Sequence, residues 1–264
     1  MARSQFETPE WHEAVGAVLA AQDGDEIATR LIETIGQIVL HNGTCLLAFH
    51  NNAQPEVLHH TLEPAGERHY VERYLAGPYL LDPLYELALH NDKPGMCRYR
   101  DATPDRFHSS EYYRQYCERT HLKDEVDYLV DVGAGSTLVL VVARREQKFF
   151  RAEIARLELI EPLVRAAMQR VWEKWQQADG RGTPDPDIHK RLTRCFDNFG
   201  NGVLTQRERE ITQLLLRGHS SKSVARELRI APGTVMVHKR NLFAKLGITS
   251  QFELFSRFIE DLSA

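Results

Sequence analysis

The stretch "LRIAPGTVMVHKRNLFAKLGI", Leu228–Ile248, decides how this 264-residue chain is read. Pro232 suits the first position of a helix, where its missing N–H has no intrahelical partner. At ~100° per residue, Val235, Leu242 and Leu246 stack on one side, with His238 at their edge. Val237, Arg240, Asn241 and Ala244 lie opposite, flanked by Met236, and Gly247 ends the helix. The apolar stripe pins the helix on its neighbours and leaves the other face for a partner.

The flanking sequence supplies those neighbours. Thr205-Gln206-Arg207-Glu208 is a capping-box pattern that opens a helix with Ile211, Leu214 and Leu215 inward, and Gly218 is its stop. Ser220 or Ser221 caps a second helix, which buries Val224, Ala225 and Leu228; Arg229–Ala231 form the turn into the opening stretch. Gln251–Leu262 makes a fourth helix with Phe252, Phe255, Phe258 and Ile259. Helix, tight turn and half-polar second helix is the geometry that lays a recognition helix in the major groove. An ordinary surface helix in a small bundle has the same pattern. In the first reading Val237 and Ala244 permit close approach to thymine methyls and Arg240 bonds guanine bidentately. Lys222, Thr234 and Lys245 are then phosphate contacts, which position without specifying.

Charge agrees in sign. From Gly200 onward ten Lys/Arg face six Asp/Glu, whereas residues 1–199 hold 23 against 31. A basic tail on an acidic body fits a nucleic-acid partner for the tail. "ADGRGTPDPD", Ala178–Asp187, reads as a linker, although "IHKRLTRCFDNF" behind it can form a short helix. The expected organisation is therefore a regulatory domain over 1–177, a linker over 178–199 and a DNA-binding domain over 200–264. No segment approaches ~18 uninterrupted apolar residues, so no membrane span is expected. The first residues, "MARSQFETPEWHE", lack a signal-peptide layout. Cys45, Cys97, Cys117 and Cys195 form no CxxC pair, so no metal site or disulfide framework is expected, and the chain reads as cytoplasmic. No HExxH, GxSxG, dinucleotide or Walker motif points to an enzyme or a cofactor.

Residues Leu204–Leu254 resemble the DNA-binding domain of LuxR-type transcription regulators, through "LTQRERE", "RGHSSKSVARELRI", "GTVMVHKRNLFAKLGI" and "SQFEL" in order. The resemblance implies that Lys222, Thr234 and His238 anchor the DNA backbone or the fold, and that Met236, Val237 and Arg240 face bases. This chain has Met236 where the family commonly has a basic residue, and Ala231 where it commonly has a capping Ser. The second change costs ~1 kcal/mol of helix stability.

The body reads as an α+β sensor, an antiparallel sheet flanked by helices in the manner of GAF and PAS domains. Helices are expected at Glu10–Ala21, Asp25–His41, Arg68–Ala76, Tyr79–His90 and Ser109–Thr120. Strands are expected at Thr44–His50 and "EVLHHTL", with a hairpin about Gly133-Ala134-Gly135. One long helix, Phe150–Gln177, carries Ile154, Leu157, Val164, Met168, Val171 and Trp175 near a 3.5-residue spacing that suits a dimer seam. The stretch "HYVERYLAGPYLLDPLYELALHNDKPGMCRYRDATPD" resembles the autoinducer-binding domain of quorum-sensing LuxR-type regulators. By that resemblance Tyr70 and Tyr74 line a pocket and Asp82 accepts a hydrogen bond from a ligand amide or amine; Tyr79 and Tyr85 cluster with them in sequence and are expected to bind the ligand too. Tyr74 to Asp82 is one residue shorter than usual, and the tryptophan after the "KP" segment is absent, with Cys97 or Tyr99 nearest. These departures favour a small molecule other than an acyl-homoserine lactone. Tyr70 and Tyr74 equally fit a core stripe, and Asp82 an N-cap before Pro83.

The expected function is a homodimeric transcription regulator on a near-palindromic operator, with a small-molecule effector and RNA polymerase as further partners. The competing reading is a response-regulator-type or protein-partner-gated factor without a ligand.

Overall fold

The computed structural model describes residues 4–51, 53–62, 71–90, 94–118, 122–178 and 186–263. The chain divides into two compact units. One comprises Met1–Val71, Leu87–Ala102 and Leu122–Asp185, and the other Glu72–Glu86, Thr103–His121 and Pro186–Ala264.

The first unit is built on a five-stranded antiparallel sheet of order β2-β1-β5-β4-β3. Its strands are β1 (Gly43–His50), β2 (Ala53–His60), β3 (Gly95–Arg98), β4 (Asp124–Asp131) and β5 (Ser136–Arg144). β5 is central because "STLVLVVAR" is rich in β-branched residues, which suit a pleated, buried strand. Register pairs Leu46 with Leu140 and Tyr128 with Leu140, so inward side chains of three strands meet in one row. By period-two alternation Leu46, Ala48, Val126, Tyr128, Val130, Leu138, Leu140 and Val142 point to one face, and each is at most 3% exposed. Helix α1 (Pro9–Ala20), α2 (Gly24–Gly36), α4 (Arg151–Leu159) and α5 (Glu161–Gln177) share this core, through Val18, Ile27, Leu31, Ile35, Leu157, Val164, Met168 and Val171. Between α2 and α4 in the chain lies α3 (Pro83–His90).

Two cations tie the layers. Arg170 of α5 donates to the carbonyls of Val18 and Ala21 at 2.9 and 2.8 Å, satisfying the end of α1. Arg144 is 1% exposed; a buried guanidinium is tolerable only when paired and hydrogen-bonded. It donates to both Glu153 carboxylate oxygens at 3.0 and 2.8 Å and to the Leu40 carbonyl at 2.7 Å. Those bonds, foremost, hold the Glu153 carboxyl below its ordinary range.

The expected antiparallel α+β sheet is present. Three local expectations are corrected. The long helix is broken at Ile160, since Pro162 has no N–H to continue the ladder, and a new helix starts there. Its supposed dimer seam is intramolecular core: Leu157, Val164 and Met168 are fully buried against the sheet and α2. The expected helix Tyr79–His90 is interrupted at Asp82, where ψ is 123°, because a residue preceding proline is driven out of the helical region. In addition, the sheet includes the short strand β3, whose "GMCR" carries no alternating pattern to mark it in the sequence.

Candidate nucleic-acid interface

The second unit contains α6 (Pro186–Asn198), α7 (Gln206–Leu216), α8 (Ser221–Glu227), α9 (Pro232–Leu246) and α10 (Gln251–Ser263). The capping box forms at α7: the Glu208 N–H donates to Thr205 Oγ1 at 3.3 Å, and Thr205 N–H donates to Glu208 Oε2 at 2.8 Å. Ser220 Oγ accepts from the Ser223 N–H at 3.1 Å and caps α8. Arg229 takes a left-handed φ of 52° in the turn, and the Ile230 N–H returns to the Ala225 carbonyl at 2.9 Å. Ala231 offers no side-chain cap to α9, as its identity requires. Gly247, at φ 67°, closes α9 in a conformation that costs only glycine nothing.

The two faces of α9 separate. Val235 and Leu242 are fully buried and Leu246 nearly so, against α7 and α8. Thr234, Arg240, Asn241 and Ala244 are exposed, and the large apolar Met236 and Val237 are 65% and 48% exposed. Lys222, on the preceding helix, is exposed, and His238 is half-buried at the seam. Lys245, expected as a phosphate contact, is exposed as well. Its ammonium donates to Glu208 Oε2 at 2.6 Å, so it ties the end of α9 to the start of α7. Burial alone would raise the Glu208 carboxyl, but the bonds from Lys245 and Thr205 outweigh it and hold the group low. Lys239 lies with its ammonium 5.4 Å from the Phe243 ring and donates to Gln251, so it serves the fold.

Helix α6 occupies most of the stretch expected as linker, and Phe196 and Phe199 pack edge-on to Phe258 of α10. Phe252 is 54% exposed, while Leu254, Phe255 and Phe258 are buried.

The expected effector residues also gather in this unit. Tyr79 is fully buried, its hydroxyl 2.8 Å from His189 Nδ1 of α6 and its ring edge-on to Tyr85 at 5.1 Å. Burial pushes the Tyr85 hydroxyl up to about 12. Tyr74 donates to Asp82 Oδ2 at 3.0 Å, while Asp82 Oδ1 accepts from the Leu84 N–H at 2.9 Å. Asp82 thus caps α3 as well as facing Tyr74. Tyr70 lies outside the described residues. Beside the cluster Arg217, after α7, pairs with Glu86 at 2.8 Å and lies 4.9 Å over the Phe196 ring. Sequence reasoning passed over His189 and Arg217, because only their distant partners give them a role.

Comparison with known proteins follows the same lines. The family described as bacterial regulatory proteins, luxR family, matches residues 202–258. An HTH-type transcriptional regulator of the exeN 3' region of Aeromonas salmonicida is 32% identical over 157 residues, spanning 58% of this chain and 80% of the relative. The chain belongs to the luxR family of bacterial regulatory proteins.

As a luxR-family member it is a DNA-binding transcriptional regulator, and α8 and α9 are its helix-turn-helix. The monoamine regulon transcriptional regulator of Klebsiella aerogenes is 25% identical over 248 residues, covering 92% of this chain and 95% of that one. The crystallised LBD domain of VqsR from Pseudomonas aeruginosa is similar at 29% identity and a TM-score of 0.57, over 63% of this chain and 99% of that domain. Among the described residues no helix is long and apolar enough to cross a membrane, and no group of His, Cys, Asp and Glu has a metal-binding arrangement.

Proposed function

We propose that this luxR-family regulator reads base edges through Met236, Val237, Arg240 and Asn241. Lys222 and Thr234 are its phosphate contacts, and His238 supports the helix from its seam. The single observation carrying this reading is the pair of large apolar side chains left exposed on a helix whose other face buries Val235, Leu242 and Leu246. Exposed Met and Val beside Arg are costly against water and useful against thymine methyls and guanine. One such module buries too little surface for tight specific binding, so a homodimer on a near-palindromic site is the functional form. RNA polymerase is the further partner that such a bound dimer meets.

The input is a small molecule. Similarity to the VqsR LBD domain supports this. So does the cluster of Tyr74, Tyr79, Asp82 and Tyr85, which brings aromatic rings, hydroxyls and a carboxylate together. That mixture suits a small amine or amide, in keeping with the name of the Klebsiella relative. Native mass spectrometry of the chain purified from its own cells tests it: an adduct of a few hundred daltons, lost in Asp82→Ala, is expected. Mass equal to the bare chain, with full regulatory activity, contradicts a small-molecule input.

A further inference from the structure

Three helices of the DNA-binding module end in one motif. At α7 the Gly218 N–H returns to the Leu215 carbonyl at 3.1 Å and the His219 N–H to the Leu214 carbonyl at 3.0 Å. At α9 Gly247 and Ile248 repeat the pair with Ala244 and Phe243, at 3.2 and 3.0 Å. At α8 it is Arg229 and Ile230 that bond Arg226 and Ala225, at 3.2 and 2.9 Å. The first residue of each pair is left-handed, which glycine adopts without strain and a residue with a Cβ does not. Gly218 and Gly247 meet that requirement at φ 92° and 67°, whereas Arg229 is held at 52°. Besides Ala134, in the turn of the β4–β5 hairpin, Arg229 is the only residue other than glycine with positive φ among the described residues.

Nothing in the fold asks for arginine there. The side chain is exposed and makes no ion pair, hydrogen bond or ring contact among the described residues. Backbone strain that the packing does not use points to a use outside the chain. The position says which. Arg229 stands three residues before Pro232, the first residue of α9. In a helix-turn-helix the recognition helix meets base edges with its N-terminal residues while the helix before it crosses the backbone, so the turn between them lies against phosphates. On α8 itself Lys222 and Arg226 are exposed one helical turn apart, on the way to this turn. A guanidinium is always charged and presents donors that match phosphate oxygens. We infer that Arg229 is a DNA-backbone contact beyond Lys222 and Thr234, retained in the turn despite its strain. This rests on the reading of α9 as the helix that faces DNA.

The test takes two readouts on the full chain, thermal melting and titration of a labelled random-sequence duplex across a range of salt. Arg229→Gly is expected to melt at least as high as the native chain, because the left-handed position is then unstrained. The same variant is expected to bind the duplex roughly fivefold more weakly at low salt, with a salt slope smaller by about one, the signature of one phosphate contact. Arg229→Lys keeps the charge and is expected to keep the native slope. If Arg229 serves only the fold, Arg229→Gly leaves the slope unchanged, and the inference is overturned. Weaker binding with a lower melting temperature overturns it as well, because impaired folding then accounts for the loss. Arg240→Ala on a selected operator is measured in parallel. If it loses operator preference while Arg229→Gly binds as the native chain does, only the Arg229 contact fails; if neither variant alters binding, the reading of α9 as DNA-facing fails with it.

Discussion

Lys245, at the end of the recognition helix, donates to Glu208, at the start of α7, across 2.6 Å, and Glu208 is buried. The pair staples the recognition helix to the helix that begins the DNA-binding module. A charge-assisted bond of this kind contributes about 1–3 kcal/mol, and Lys245→Ala is expected to lower the unfolding free energy by that amount. The measurement is urea denaturation. Weaker DNA binding without lost stability would return Lys245 to the phosphate role.

The same pair sets an acid dependence. The Glu208 carboxyl is held low in the folded chain, so the unfolded chain binds its proton more readily. Its contribution is therefore complete above the ordinary glutamate value, about 4.3, and is lost as pH falls through the folded value. Melting temperature of the native chain should fall more steeply below about pH 5 than that of Glu208→Gln. Parallel curves for the two would show that the bond does not bear on stability.

Much of the DNA-binding module was legible because its signals are local. Thr205 caps through a residue three positions on, Pro232 and Gly247 mark helix ends, and Val235, Leu242 and Leu246 follow the helical period. The antiparallel sheet was legible for the same reason, since β4 and β5 form one hairpin about Gly133–Gly135. The failures are of two kinds. Pro162 is a local stop that a pattern of apolar spacing overrode, whereas the cap at Asp82 before Pro83 was legible. The rest needed tertiary partners: a 3.5-residue spacing serves a core or a dimer seam equally, and only the packing of Leu157 and Met168 on the sheet decides. Tyr79–His189 and Asp105–Ser220 join residues more than a hundred positions apart, and no spacing predicts them.

That decision on the seam is testable. Leu157→Ala removes a fully buried side chain and is expected to cost about 2–5 kcal/mol of stability. Sedimentation of the variant, while folded, should show the native oligomeric state. Dissociation of a stably folded chain would restore the dimer seam.

The aromatic cluster is expected to carry the effector response. Tyr74→Ala and Asp82→Ala should abolish induction or repression in a promoter–reporter assay while the chain remains folded by circular dichroism. Tyr79→Phe deletes only the hydroxyl bound to His189 and should cost about 1 kcal/mol through the lost buried hydrogen bond. A normal reporter response in all three variants places the effector elsewhere.

The most direct test of base reading by α9 compares two variants on two DNAs. Once the operator is isolated by selection from a random pool, Arg240→Ala should weaken operator binding by about 1–3 kcal/mol and relax preference at one base pair, leaving random DNA almost unaffected. Lys222→Ala should weaken operator and random DNA alike and reduce the salt slope by about one. Equal losses on both DNAs for Arg240→Ala would contradict a base-reading role for the exposed face of α9.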